Sequence, residues 1–289
     1  MLISTQNDNL AQTFGVDKAN SILADAGYDS IDMSFFADRY PYIFENNYKE
    51  VALRMKKEMA DRGVSFNQAH APFGGGFENY TTKLVLQFPR VFEFCSLLGI
   101  KQIVVHPAQN GVYAGREKEH FDYNVEFYSG LADMAKNNGL KIAIENMWQR
   151  HPVNKQIVDD ICADPYELAR MYDTLNDPEA FTVCLDLGHV ALCRREPDDA
   201  IRILGHERLG ALHVHDVDYV DDLHTLPGVE KIKWDKVCRA LGEINYKGEF
   251  TLEADNFLRG FDNDFKAEAA AYMAKTARFL ANKVDLYRA

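Results

Sequence analysis

Seven carboxylates and imidazoles sit where apolar, β-prone runs of about four to six residues come to an end. Glu145 closes IAIEN (142–146), Asp186 and His189 lie in CLDLGH (184–189), His215 in LHVHD (212–216) and Glu253 in TLEAD (251–255). His70 in NQAHAPF (67–73) and His106 in VVHPA (104–108) hold the same position upstream. Glu145, Asp186, His215 and Glu253 make a hard, oxygen-rich ligand set. Such a set suits Mn²⁺, Mg²⁺ or Co²⁺ and tolerates Zn²⁺. Ionisable groups crowded at the end of an apolar core are destabilising unless a cation compensates them. One such residue alone reads equally well as a solvated strand end. Four on consecutive strands read as one divalent-metal site.

Around that set stand further candidates. His189 follows Asp186 by three residues and can contact substrate, orient a ligand or bind metal itself. His213 precedes His215 by two, so both point to the same side of a strand. His215 is the expected ligand because it is nearer the strand end, with His213 one layer deeper. Asp222 and His224 form an Asp-x-His pair that can share a cation. His70 and His106 can complete a second metal centre or contact substrate hydroxyls, and Trp148 can wall a sugar ring. Trp234 reads as structural, and Gly74-Gly75-Gly76 as a rim loop, since neither a P-loop nor GxGxxG accompanies it. The absence of GxSxG and HExxH leaves serine-nucleophile and zincin chemistry without support.

Residues at strand carboxyl ends converge only if the strands are parallel and linked by helices. Strand-like runs fall near 2–5, 29–33, 64–69, 101–106, 140–145, 181–186, 210–215 and 249–253. Helical patterns fall near 17–26, 47–62, 79–98, 119–138, 164–175, 197–204, 234–243 and 264–284. Asp164-Pro165 and Glu196-Pro197 mark helix starts; Gly27, Gly63, Gly99, Gly139 and Gly205 mark helix ends. Eight alternations predict an α/β fold, a single (β/α)8 barrel over residues 1–289. A doubly wound sheet would gather its site at one switch point, whereas these polar residues span strands three to eight.

No linker composition interrupts the chain, and 47% apolar residues supply a large core. No run approaches the ~18 apolar residues of a membrane span. Met1-Leu2-Ile3-Ser4-Thr5 lacks the basic start of a signal peptide. Five scattered cysteines without CxxC spacing read as packing residues in a reducing compartment. A cytoplasmic protein is the expectation. The net charge of −12 disfavours broad nucleic-acid contact. Arg150, Lys155, Lys231 and Lys233, on predicted rim segments, can hold a phosphate or carboxylate.

The motifs Glu145-Asn146, Asp186-x-Gly188-His189, His213-x-His215-Asp216, Asp222-x-His224 with Pro227-Gly228, and Leu252-Glu253 resemble the xylose isomerase-like barrel superfamily. That group holds sugar and sugar-phosphate isomerases and epimerases as well as endonuclease IV. The resemblance to ketose 3-epimerases of the D-tagatose 3-epimerase type implies one divalent metal on Glu145, Asp186, His215 and Glu253, with His189 on the substrate. It implies proton abstraction next to a carbonyl, an enediolate stabilised by the metal, and Glu145 and Glu253 as the acid/base pair. Those epimerases carry Arg six residues after the metal histidine; here that position is Asp221. The resemblance thus points to a reaction class and a sugar- or polyol-derived substrate before a particular sugar. An inosose-type dehydratase is the alternative within the fold. Endonuclease IV is similar at His70, His106, Glu145, Asp186, His189, His215, Asp222, His224 and Glu253, which implies a multi-zinc phosphodiesterase. Relatives are often dimers or tetramers, so a homo-oligomer is also expected.

Overall fold

The computed structural model describes residues 1–36 and 40–288. Eight strands form one parallel sheet: β1 Ile3–Gln6, β2 Ser30–Ser34, β3 Ser65–His70, β4 Gln102–Val105, β5 Lys141–Glu145, β8 Phe181–Asp186, β9 Leu209–His213 and β10 Phe250–Leu252. Between β5 and β8 the chain adds an antiparallel hairpin, β6 Trp148–Arg150 and β7 Ile157–Asp159. The parallel sheet runs β10-β1-β2-β3-β4-β5-β8-β9. Its free edges meet where Val214 bridges Leu252: Val214 N–H donates to Thr251 O at 2.9 Å, and Glu253 N–H to Val214 O at 3.0 Å. The sheet is therefore a TIM barrel, with no edge left for another chain to pair with.

All eight predicted strands are present within a few residues of their expected limits. The helices Val16–Ala26, Tyr48–Ala60, Val85–Leu98, Glu117–Asn137, Pro165–Leu175, Pro197–Arg208, Trp234–Glu243 and Lys266–Leu286 form the outer layer. Asp164 caps one of them by accepting Tyr166 N–H at 2.9 Å, ahead of Pro165 in the first turn. At Gly205 (φ 65°) the backbone kinks rather than stopping, and one more turn reaches Arg208. The helix Asp8–Phe14, the hairpin, the short helix Leu187–Leu192 and the 3-10 turns Pro41–Phe44 and Asp255–Gly260 were not predicted. All stand between strand ends and following helices, where a barrel adds what lines its mouth.

Inside the barrel Val104, Ala143, Cys184 and Ala211 form a separate apolar cluster. In register, Glu145 faces Cys184 and Asp186 faces His213. All five cysteines are buried and unpaired, as packing residues are. Among the described residues no helix is long and apolar enough to cross a membrane.

Candidate metal and catalytic site

Strand direction brings the predicted residues together in three adjoining groups whose donor atoms lie within 4.8 Å of one another. His70, His106 and Glu145 make the first; Glu145, Asp186, His213 and Glu253 the second; His189, His215, Asp222 and His224 the third. Glu145 belongs to two of these, and among the described residues to a further group with Cys184 and His213. His70 Nε2 and His106 Nε2 are 2.9 Å apart, and His106 Nε2 is 2.9 Å from Glu145 Oε2. The imidazole within the central group is His213: its Nδ1 lies 2.7 Å from Glu145 Oε1 and 3.3 Å from Glu253 Oε2. His215 instead sets Nε2 2.9 Å and 3.1 Å from the two Asp186 oxygens and stacks on His224 at 3.9 Å.

Backbone contacts fix the imidazoles. Nδ1 of His70 lies 2.9 Å from Ala71 O, that of His189 2.8 Å from Asn146 O, and that of His224 2.9 Å from Glu253 O. A carbonyl oxygen only accepts, so each Nδ1 carries the hydrogen and each Nε2 is turned inward. Anchoring one ring nitrogen while presenting the other is how histidine serves a metal. Asn146 also clasps Asp186, accepting its N–H (2.8 Å) and donating to its carbonyl oxygen (2.9 Å). Gly188 is required here, because a Cβ would stand 2.0 Å from His215 Cε1. Asp216 has a structural part: it accepts from Val217, Gly228, Glu230 and Ile232 N–H groups and from the Trp234 indole, folding the loop that carries Asp222 and His224.

Burial and neighbours push the carboxyl groups in opposite directions. Burial works against ionising Glu145, but His213 and His106 outweigh it and hold that carboxyl well below the usual range. Burial likewise opposes Asp186, where His189 and His215 prevail. Glu253 is raised to about 8, by burial first and then by Glu145 and Asp186, against His213 and His224. Burial penalises charged His213 and His224, yet Cys184 and Glu253 around the first, and Asp222 and Glu253 around the second, raise both well above the ordinary imidazole value. His213 Nε2, His215 Nδ1 and Asp222 Oδ1 are buried without hydrogen-bond partners. Anchored imidazoles, crowded carboxylates and orphaned donor atoms fit a divalent cation.

These shifts give a signed expectation for the metal-free protein. Glu253, His213 and His224 bind protons more tightly folded than unfolded, so their stabilisation is lost as pH rises towards their folded values. His70 and His215 are lowered, by burial first, and work in the opposite sense only below 6.5. Chelated protein is therefore expected to melt at a lower temperature at pH 8 than at pH 6.5, and saturating Mn²⁺ should remove the difference. Thermal denaturation at both pH values checks this; a chelated midpoint that climbs over that interval contradicts it.

The groups open into a cavity of about 500 Å³ lined by Gln6, Phe36, His70, Phe73, His106, Gln109, Trp148, His189, Asp222, His224, Asp255 and Arg259, with Glu145 and Glu253 at its floor. A larger groove of about 700 Å³ under the hairpin holds none of the strand-end residues. Trp148 is half-buried, its ring 6.2 Å edge-on from His189. The four basic residues picked from sequence do not line the cavity. Lys233 pairs with Glu196, Arg150 approaches Asp221, and Lys155 and Lys231 donate to carbonyl oxygens. Arg259, in the turn after β10, is the cation among the described lining residues. It was missed because nothing in its local sequence separates it from a surface arginine. Gln6, which donates to Glu253 Oε1 at 2.9 Å, was recoverable: it ends β1 just as the acidic residues end theirs.

Comparison with known proteins agrees with this architecture. A sequence model described as the xylose isomerase-like TIM barrel matches residues 21–283. The uncharacterized protein MJ1311 of Methanocaldococcus jannaschii is 27% identical over 207 residues, covering 69% of this chain and 68% of that protein. Among solved structures, a D-tagatose 3-epimerase-like protein superposes with a TM-score of 0.74 at 19% identity, covering 98% of each chain. The IolI protein with a bound zinc atom superposes at 0.70 and 19% identity, covering 99% of each chain. The chain belongs to the xylose isomerase-like TIM-barrel family.

Proposed function

We propose that the protein is a divalent-metal-dependent isomerase or epimerase of a sugar or sugar phosphate, working by proton transfer next to a carbonyl. The observation that carries this reading is the pairing of Glu145 and Glu253 in the lining of one cavity, where in the metal-free protein His213 and His106 lower the first carboxyl and burial raises the second. A base and an acid with displaced proton affinities are what such a reaction needs at neutral pH. Glu145, Asp186, His215 and Glu253 would hold the metal, with His213 fixing Glu145 through its Nδ1. Bound there, a divalent ion supplies Lewis acidity to a carbonyl and neighbouring hydroxyl. Glu145 takes the proton from carbon, and Glu253 returns one from the other side. His189 and Trp148 hold the sugar, His70 and His106 contact its hydroxyls, and the aromatic wall excludes water. The similarity to a D-tagatose 3-epimerase-like protein and to zinc-containing IolI supports the class.

One observation favours a second reading. Adjoining ligand groups, two of them joined through Glu145, could hold more than one ion, the provision of a multi-zinc phosphodiesterase. Metal analysis of the purified protein, joined to a screen of ketoses, ketose phosphates and inososes for solvent-deuterium incorporation at carbon, separates the two. One ion per chain with exchange into a sugar is expected. Three ions with no exchange and cleavage of abasic DNA would overturn the isomerase reading in favour of the phosphodiesterase.

A further inference from the structure

The antiparallel hairpin is no part of the barrel wall, yet both of its strands lead to one side chain in the cavity. Gln109 lies in the loop after β4, three residues beyond His106, and is half-buried in the cavity lining. Its Nε2 donates to Trp148 O of β6 at 2.9 Å and to Asp160 Oδ2, just beyond β7, at 2.7 Å. Trp148 pairs with Asp159 across the hairpin, so the two acceptors belong to one unit. Asp160 is buried, and its other oxygen accepts Ile161 N–H at 2.7 Å, which holds the carboxylate in place. A carboxamide nitrogen carries two hydrogens, and here both are used. Turning the amide over would set Oε1 against the Trp148 carbonyl oxygen, acceptor against acceptor, so its orientation follows from its partners. Among the described residues nothing donates to Oε1, the end left for whatever enters the cavity.

We propose that Gln109 is a specificity-determining residue of this site: its fixed carboxamide oxygen accepts one hydroxyl of the substrate. Groups that only accept, such as a phosphate, a carboxylate or a carbonyl, are turned away from that place. The assignment rests on the isomerase or epimerase reading of the cavity and narrows what it takes. An acceptor oxygen backed by a buried carboxylate offers an anion nothing. Arg259, the cation among the described lining residues, follows β10, four strands round the barrel from β4. Trp148 gives its carbonyl oxygen to Gln109 and also lines the cavity. The hydroxyl acceptor and an apolar wall are thereby set side by side, a few placed polar atoms against an aromatic surface. Asp160 is a positioning residue, since it acts through the amide it holds. A neutral hydrogen bond of this kind is worth roughly 3–10-fold in affinity.

Calorimetric titration of the Mn²⁺-loaded full chain with D-fructose, scyllo-inosose and the single-deoxy analogues of each tests this. Wild type is expected to bind one deoxy analogue roughly 3–10-fold more weakly than its parent. Replacing the missing hydroxyl by fluorine, which only accepts, should recover nothing. Gln109→Leu should lose that factor on the parent and bind parent and analogue alike. Gln109→Lys, which keeps donors for Trp148 O and Asp160 but removes the acceptor, should behave the same way. Asp160→Asn should shrink the difference between parent and analogue, whereas damage to the fold would weaken every ligand equally. Equal loss for all analogues, no loss, or recovery by fluorine overturns the assignment. Because binding is read without turnover, selective loss in a protein that shows no deuterium exchange keeps Gln109 and removes the isomerase reading. Exchange without selective loss does the reverse, and a metal-loaded wild type that binds neither parent overturns both.

Discussion

Glu145→Gln and Glu253→Gln are each expected to lower turnover by roughly 10²–10⁴-fold, the span that a positioned acid or base contributes. The two variants should part company in solvent-deuterium exchange. Glu145 lies against His106 and His213, which outweigh burial and hold its carboxyl below the usual range. Glu253 receives Gln6 and is pushed towards the protonated form by burial and its acidic neighbours. For the epimer whose carbon-bound proton faces Glu145, Glu253→Gln should still wash deuterium into substrate of unchanged configuration. Glu145→Gln should do neither. With the opposite epimer the roles exchange, because the same two carboxyl groups then act in reverse. Metal content must accompany each measurement, since ion loss would mimic both phenotypes. If both variants keep their ion and near-normal turnover, the two-base mechanism is wrong, and Asp186 or His189 becomes the base to test.

The mouth of the barrel was legible because strand ends carry their chemistry in the sequence. An apolar run of parallel strand followed by one Glu, Asp or His can be seen without neighbours, and the direction of parallel strands does the rest. Every predicted strand-end residue reached the same cavity or the groups beneath it. What remained hidden depends on contacts between segments far apart in the chain. Two-residue periodicity puts His213 and His215 on one side, but it cannot say which ring meets Glu145. That depends on the stagger between β5, β8 and β9, including the register shift between Val183 and Cys184. Arg259 and Gln109 are invisible for the same reason: each is brought to the cavity by a loop, not by a strand. The hairpin escaped because its strands are three residues long, too short for an alternating pattern to stand out.

The same ambiguity makes metal affinity the most discriminating measurement on the central group. Asp186→Asn removes one formal charge and almost no volume, and Asn146 should continue to clasp its backbone. A lost ligand of this kind is expected to cost more than the roughly 10–100-fold that loss of an outer-shell partner costs. The paired histidines then identify themselves by magnitude. If His215 is the ligand, suggested by its place against both Asp186 oxygens and its unpartnered Nδ1, His215→Gln should weaken binding as severely as Asp186→Asn. His213→Gln, which removes the hydrogen bond to Glu145, should stay within the smaller range and depress turnover more than occupancy. The reverse order would make His213 the ligand and His215 the support, and would move the ion one layer deeper into the barrel. Full occupancy in Asp186→Asn together with normal turnover would remove this carboxylate from the site altogether. Titration of chelated protein with Mn²⁺, followed by calorimetry at one fixed pH, reads all three variants on one scale, because the proton that Glu253 gives up to the incoming cation then counts alike in each.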